Sequence, residues 1–125
     1  MAELAAASGS QLFTVIATAT AIARGLRVTL DSSGTVAASD IGVRGDYVTA
    51  GAIAASGTGA AYNLNLAGII PAVASEAIVA GDLCYSAAAG KVSKSSGGGA
   101  VIVGKANTAA SGTGVLFELI PQIAA

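Results

Sequence analysis

The residues with the clearest chemical pattern lie at 99–105, where GAVIVGK fits the phosphate-binding motif G-x-x-x-x-G-K. In that motif the N–H groups of a curled loop bind phosphate, the lysine reaches the terminal phosphates, and a following Ser or Thr hydroxyl holds Mg²⁺. Here the loop positions carry Ala and β-branched residues, which favour extended backbone, and Ala106 stands where the hydroxyl is needed. The pattern therefore predicts a strand with an exposed Lys105 and no nucleotide binding.

The sequence lacks the residues that other common kinds of catalytic site require. The chain has no histidine, which excludes Ser-His-Asp and Cys-His machinery and the ordinary zinc sites. Its 7 acidic residues never form a close pair in the sequence, and no D-x-D-x-D-G calcium spacing occurs. A site of two carboxylates that folding brings together from distant parts of the sequence stays an alternative. We expect no catalytic residue, no cofactor and no metal, so the chain is predicted not to be an enzyme.

Three further features have simple structural interpretations. Cys84 has no His or flanking Lys to lower its pKa, so we expect a small core or sheet-face residue. Residues 44–46 spell Arg-Gly-Asp, the tripeptide of integrin ligands, but a match this short is common by chance and a turn into the next strand explains it better. Lys91 and Lys94 indicate a solvated edge that discourages strand-to-strand aggregation.

The composition indicates a surface suited to contact with protein. The chain is 54% hydrophobic with a mean hydropathy of +0.74, yet 30 of its 125 residues are alanine and only 10% are charged. A typical soluble domain has roughly 25% charged residues, so Ala, Ser, Thr and Gly must fill many water-facing positions. The net charge of −1 and the scattered cations predict that nucleic acid is not a partner.

The uncharged run LFTVIATATAIA at 12–23 is the only candidate membrane or targeting segment in the sequence. It is shorter than the roughly 18–20 residues that a membrane helix needs, and the acidic Glu3 stands where a secretory signal has basic residues. We therefore expect a strand there and no membrane partner. The single cysteine fits a chain made in a reducing compartment or one that needs no disulfide.

Turn-forming clusters divide the chain into short segments. Residues 1–11 (MAELAAASGSQ) offer one leucine to bury, so we predict a flexible N-terminal arm there and a single β domain over 12–125. Gly- and Ser-rich clusters such as SSGGG at 95–99 recur at fairly regular spacing, which favours an all-β fold, a small antiparallel β-barrel or sandwich. The predicted strands lie at 12–18, 25–30, 46–53, 61–67, 77–86, 91–94, 100–106 and 114–120.

Two sequence patterns refine this assignment. In VLFELI at 115–120, apolar residues alternate onto both faces, so we expect a strand buried on nearly both sides, with Phe117 in the core. The string AASGTG occurs at 54–59 and again at 109–114. Because this echo is short, we interpret it as two equivalent hairpin turns and not as a repeat. Helical periodicity is confined to one turn at 72–77.

The segments AGDLCYSAAAGKV (80–92), VIVGKA (101–106) and SGTGVLFEL (111–119) resemble phage capsid cement proteins, also called head decoration proteins. Many of these have a Gly-Asp or Gly-Ala strand with an aromatic residue, a G-K-V turn, a strand ending in G-x-A, a Gly turn and a last hydrophobic strand. The likeness extends over residues 41–120. The alanine-rich stretch 50–61 and the apolar first strand depart from the family pattern.

The resemblance implies a small β-rich protein that binds the outside of an expanded icosahedral head and clamps major capsid subunits against internal DNA pressure. It implies the major capsid protein as partner, a homo-oligomer with a trimer favoured over a dimer, and no catalysis. The protein would be made in the host cytoplasm and lie on the outer capsid surface of the virion. Arms of some decoration proteins contact the capsid, which places capsid contacts on Met1, Ala2, Glu3, Leu4, Ala5, Ser8 and Ser10.

A second interpretation stays open, namely a secreted or cell-surface β-module that binds carbohydrate or another protein. Such a module would have the same low charge and short strands. With three Tyr, two Phe and no Trp, however, the chain is poorly supplied with rings for stacking on sugars. It also lacks paired cysteines and a basic N-terminal segment, so head decoration is preferred.

Overall fold

A computed structural model describes residues 12–65 and 68–122 of the chain, and it confirms the all-β class. In this part of the chain, two antiparallel five-stranded sheets form, and the one helical element is a 3-10 turn at Ala88–Gly90. The strands are β1 (Leu12–Ile16), β2 (Arg27–Leu30), β3 (Val36–Ala38), β4 (Tyr47–Thr49), β5 (Thr58–Asn63), β6 (Ile70–Val73), β7 (Leu83–Ser86), β8 (Val92–Ser93), β9 (Ile102–Ala106) and β10 (Leu116–Pro121).

The two sheets repeat one topology. The first has the order β1-β5-β4-β2-β3 and the second has the order β6-β10-β9-β7-β8, so each strand of the first has a counterpart five strands later. The isolated bridges outside these strands repeat as well. They are the parallel pairs Ala17–Val36 and Ala74–Val92 and the antiparallel pairs Ile22–Ile53 and Ile78–Ala110. We call residues 12–65 the first unit and residues 68–122 the second unit.

This repetition corrects the interpretation of the AASGTG strings. Both strings do lie in equivalent hairpin connections, from β4 to β5 and from β9 to β10. The expectation that the chain is not a repeat is wrong, because the whole five-stranded unit recurs. The strings are out of register by two positions, since the bridging residue Ile53 precedes the first string while its counterpart Ala110 lies inside the second. The repeat is therefore revealed by the strand order and the bridges, and the identical strings do not mark equivalent positions.

All eight predicted strands overlap observed ones, while β3 and β6 were not expected. The alanine-rich VAA of β3 and the IPAV of β6 are weak strand signals, because alanine and proline are depleted in strands. Pro71 is tolerated because β6 is an edge strand with a neighbour on one side. The helical turn expected at 72–77 is wrong, since Ala72 and Val73 belong to β6.

Each unit has its own apolar core. The core of the first unit contains Val15, Ala17, Ile22, Val28, Val36, Ile53 and Ala61. The core of the second unit is larger and contains Ile70, Ile78, Cys84, Val103, Phe117 and Leu119 among others. It also takes in two residues of the first unit, Val48 and Leu64, which are fully buried. The first unit therefore completes the core of the second.

Strand β10 is buried on one face only. Phe117, Leu119 and Pro121 point inward, while the residues between them are exposed. The core position expected for Phe117 is confirmed, with 4% of its surface exposed. The expectation of a strand buried on nearly both sides is wrong, because Leu116, Glu118 and Ile120 on the outer face of β10 are exposed. Glu118 lies in the middle of this face, and its charge is the feature of the sequence that indicates a solvated face.

A buried arginine joins the two units. Arg27 lies on β2 with none of its surface exposed, and its Nε donates to the carbonyl of Lys91 at 3.0 Å and its Nη2 to that of Ala87 at 2.5 Å. Its Nη1 donates to the carbonyls of Val43 and Arg44. Burial lowers the pKa of Arg27 to about 10, partly opposed by the charge of Asp40, so the guanidinium stays protonated at neutral pH.

Candidate docking surface

The G-x-x-x-x-G-K segment folds as the predicted strand. Its last residues form β9, which pairs with β7 and β10, and Lys105 is exposed on the outer face. A side chain at Gly104 would come within 2.2 Å of the Ile120 carbonyl oxygen, so close strand pairing explains this glycine. No helix follows within the described stretch 107–115. The strand and the exposed lysine are confirmed, and the absence of nucleotide binding stays a prediction.

Cys84 is a core residue, as expected. It lies on β7 as a free, fully buried thiol whose Sγ donates to the carbonyl of Asp82 at 3.5 Å. Burial raises the pKa of Cys84 to about 11, and the nearby charge of Asp82 acts in the same direction. The thiol is therefore protonated at neutral pH, which makes it a poor nucleophile.

The Arg-Gly-Asp tripeptide makes contacts within the chain. Arg44 donates through Nη2 to the carbonyls of Leu64 and Gln122, and through Nη1 to Asn65 Oδ1 at 3.2 Å. The Asp46 carboxylate accepts the N–H of Leu30 at 2.8 Å. The segment leads directly into β4, so the interpretation as a turn before a strand is confirmed. Its two charged side chains hold the β4 region against β2 and the chain end of the second unit.

The carboxylates are dispersed. In residues 12–65 and 68–122, no three Cys, Asp or Glu side chains come together as a metal site would require. Glu76 accepts the hydroxyls of Ser93 and Ser95, and these hydrogen bonds lower the pKa of its carboxyl. Lys94 is exposed directly after the edge strand β8, where a solvated edge was expected.

The predicted capsid-contact residues, from Met1 to Ser10, all lie outside the described residues, as does the predicted arm at 1–11. Both therefore stay predictions. Within the described segments, we find no helix with the length and apolar character that crossing a membrane demands.

The two units differ on the outer faces of their sheets. In the first unit a cross-strand row runs from Arg27 on β2 to Val48 on β4 and Tyr62 on β5. Arg27 and Val48 are fully buried, and Tyr62 is half-buried and packs on the core of the second unit. The outer face of the first sheet is thus the contact surface between the units. We call these three residues the inner row.

The equivalent row of the second unit faces solvent. Leu83 on β7 pairs with Lys105 on β9, which pairs with Ile120 on β10. Leu83 and Ile120 are 43% and 42% exposed, and Lys105 between them is exposed as well. We call these three residues the outer row. Sequence reasoning missed it, because it assigned both faces of β10 to the interior.

A groove of about 320 Å³ lies beside the outer row, where the β1–β2 connection of the first unit meets β6 and β10. Its walls combine apolar and polar side chains, and Arg24 and Glu118 bring opposite charges to it. The lining residues include Arg24, Ile69, Pro71, Leu116, Phe117 and Glu118. An open groove of mixed polar and apolar character suits non-covalent docking of a protein, because protein interfaces combine apolar burial with hydrogen bonds at a polar rim.

A solved structure shares this fold. The crystal structure of the N base of head fiber gp8.5 in bacteriophage phi29 matches with a TM-score of 0.68 over 90% of this chain and 94% of that chain. The two sequences are 16% identical over the match, so the likeness is one of fold. No protein-family model matches the chain. No curated protein matches it either.

Proposed function

We propose that this chain is a structural protein of a phage head, a cement or decoration protein that binds the outer surface of the head and strengthens contacts between major capsid subunits. The observation that carries the proposal is the shared fold with a phage head fiber base, which extends over nearly the whole chain. The sequence resemblance to decoration proteins over residues 41–120 supports the same role from the residues alone.

The surface of the molecule supports a role in protein contact. Among the described residues, twelve large aliphatic side chains are at least 36% exposed, including Leu12, Val79 and Ile69. Only 10% of the chain is charged, so few ion–water interactions oppose the covering of this surface. Exposed apolar patches are typical of surfaces that bind partners. The proposed partners are the major capsid protein and further copies of the chain, with a trimer as the favoured assembly.

In this proposal the N-terminal residues Met1 to Ser10 supply the capsid contact. The chain enters the described fold at β1, which is an edge strand of the first sheet. An extended segment of small residues can add itself to an exposed strand of a partner and gain main-chain hydrogen bonds with little demand on side chains. The chain performs no catalysis in this role and needs no cofactor.

The test is binding to heads that were assembled without this protein. Purified chain mixed with such heads and sedimented should saturate at a fixed number of copies per head. A variant that lacks residues 2–10 should melt within about 2 °C of the intact chain yet bind heads at least ~10-fold more weakly, because the arm contributes contact and not core. Non-saturable binding or no binding would reject the cement role, and unchanged binding by the truncated variant would reject the arm contact alone.

A further inference from the structure

The duplicated fold leaves one of two equivalent surfaces uncovered. Within the chain, Arg27 of the inner row lies against the hairpin at 87–91 of the second unit and donates to the carbonyls of Ala87 and Lys91, while Val48 and Tyr62 pack on the core of that unit. Gly90 of that hairpin donates its N–H to the Ser39 carbonyl at 2.8 Å. A side chain at Gly90 would come within 2.7 Å of the Arg27 carbonyl oxygen, which shows how closely the row and the hairpin fit.

The first unit has a hairpin of the same length at the equivalent place, without the 3-10 turn, and it is free of such contacts. Leu30 pairs with Val36 as Ser86 pairs with Val92, so residues 31–35 are the counterpart of 87–91. The glycines also correspond, since Gly34 has a φ of +83° and Gly90 a φ of +77°. No heavy atom lies within 4 Å of the side-chain position at Gly34. Thus the first unit has an uncovered hairpin and the second unit has an uncovered row.

We propose that a second copy of the chain joins these two surfaces. The outer row of one copy docks on the 31–35 hairpin of the next, with Leu83 at the position that Arg27 has in the internal contact. The Asp31 carboxylate accepts hydrogen bonds from Ser33 and Thr35 within the hairpin and is exposed, so in the proposed contact it is the charge partner of Lys105. With a net charge of −1 per chain, repulsion between copies is small.

The side chains on both surfaces have changed together. Within the chain, the inner row carries the cation Arg27 and the hairpin begins after the polar Ser86. At the equivalent positions between chains, the row carries Leu83 and the hairpin begins after Leu30, which are 43% and 45% exposed. Apolar residues therefore stand at Leu83 and Leu30 where the polar Arg27 and Ser86 stand at the equivalent positions, while the middle of the row changes from Val48 to Lys105.

The proposed contact is heterologous, because it joins a row to a hairpin and not a surface to itself. Such contacts close into rings or continue as open chains. A ring of three would be the favoured trimer of the proposed function. Self-association through these surfaces does not require attachment to a head. Loss of association in solution and loss of binding to heads are therefore distinct experimental outcomes.

Two single variants and one matched control test the contact. Ile120→Asp places a charge in the row, Leu30→Asp places one beside the hairpin, and Val79→Asp changes a residue that is 62% exposed outside both surfaces. In sedimentation velocity over a range of concentrations, the wild type and the control should associate. Each of the first two variants alone should remain at 11.8 kDa.

Mixing the two variants separates this contact from a symmetric one. The Ile120→Asp chain keeps an intact hairpin and the Leu30→Asp chain keeps an intact row, so an equimolar mixture should form a 1:1 dimer and nothing larger. A mixture that stays monomeric would overturn the proposal, as would a wild type that stays monomeric at millimolar concentration or association that survives both variants.

Charge reversal at Lys105 provides a second test that leaves the aliphatic residues and the hydrogen bonds of Asp31 in place. Lys105→Glu should weaken association at least ~10-fold, because it sets a carboxylate opposite Asp31, and Lys105→Arg should keep it. Because Lys105 is exposed, neither change should disturb folding, which an unaltered unfolding midpoint would verify. Equal association of the Lys105→Glu variant and the wild type would refute the pairing of Lys105 with Asp31.

Discussion

The two units have the same strand order but solve their packing in different ways. In the first unit Ile53 fills the space over Gly59, where an added side chain would lie 2.5 Å from Ile53 Cγ1. The equivalent positions of the second unit carry Ala110 and Phe117, so the large and small residues have changed places. A similar core volume is filled from the bridge position in the first unit and from the strand position in the second. The topology therefore constrains the total volume and not the residue at each position.

The outer faces differ in a way that bears on function. The inner row contains a buried cation, Arg27, whose donors are bonded to four carbonyls. The outer row contains Lys105 with one exposed aliphatic residue on each side, Leu83 and Ile120. One unit therefore uses its outer face to hold the molecule together. The same face of the other unit is exposed.

Truncation of the exchanged core residues should give the largest effects. Phe117→Ala should lower the free energy of unfolding by about 3–5 kcal/mol and Ile53→Ala by about 2–4 kcal/mol, because both leave cavities in packed interiors. Denaturant titration measures both values. A loss below about 1 kcal/mol for either residue would show that its unit does not pack as described.

Removal of the buried guanidinium should come next. Arg27→Met should cost about 3 kcal/mol, because four carbonyls lose the guanidinium as donor and only that of Lys91 keeps another, the N–H of Ala87. Its counterpart in the outer row is the control, since Leu83→Met keeps an aliphatic side chain at an exposed position and should change stability by less than about 0.5 kcal/mol. Equal effects at the two positions would contradict the difference between the rows.

The paired glycines separate backbone strain from contact between the units. Gly34→Ala should cost about 1 kcal/mol, because alanine is strained at positive φ. Gly90→Ala carries the same strain and also meets the Arg27 carbonyl oxygen, so it should cost about 1–2 kcal/mol more. The difference between the denaturant midpoints of the two variants measures how closely the hairpin at 87–91 packs on Arg27. Equal midpoints would mean that this hairpin is as free of contacts as the one at 31–35.

The smallest effect is expected at Lys105. Because its side chain is exposed, Lys105→Ala should change the stability of the monomer by less than about 0.5 kcal/mol. Calorimetric titration of the wild type with Mg-ATP should show no saturable heat. A binding site that Lys105→Ala weakens would restore the nucleotide interpretation of the GAVIVGK segment.

Much of the fold could be predicted from the sequence. Runs of β-branched residues between Gly and Ser clusters located eight of the strands, and the extended preference of AVIV identified β9 where a phosphate loop was an alternative. The strands β3 and β6 escaped prediction because Ala and Pro carry little strand preference, and tertiary pairing determines their structure.

The repeat and the docking surface were harder to predict. The exchange of Ile53 and Gly59 for Ala110 and Phe117 removes sequence similarity at equivalent core positions, so the duplication is visible in strand order and not in residues. The two rows require knowledge of which strands are neighbours. Alternation alone cannot tell whether an aliphatic face such as that of β10 meets solvent or a second layer.

The most direct test of the proposed function is the stability of heads with the protein bound. DNA-filled heads lacking this chain should be saturated with it and heated while DNA release is followed with a fluorescent dye. We predict release at a higher temperature than for bare heads, with a smaller gain for the variant lacking residues 2–10. Heads that bind the chain to saturation and still release DNA at the temperature of bare heads would contradict the cement role.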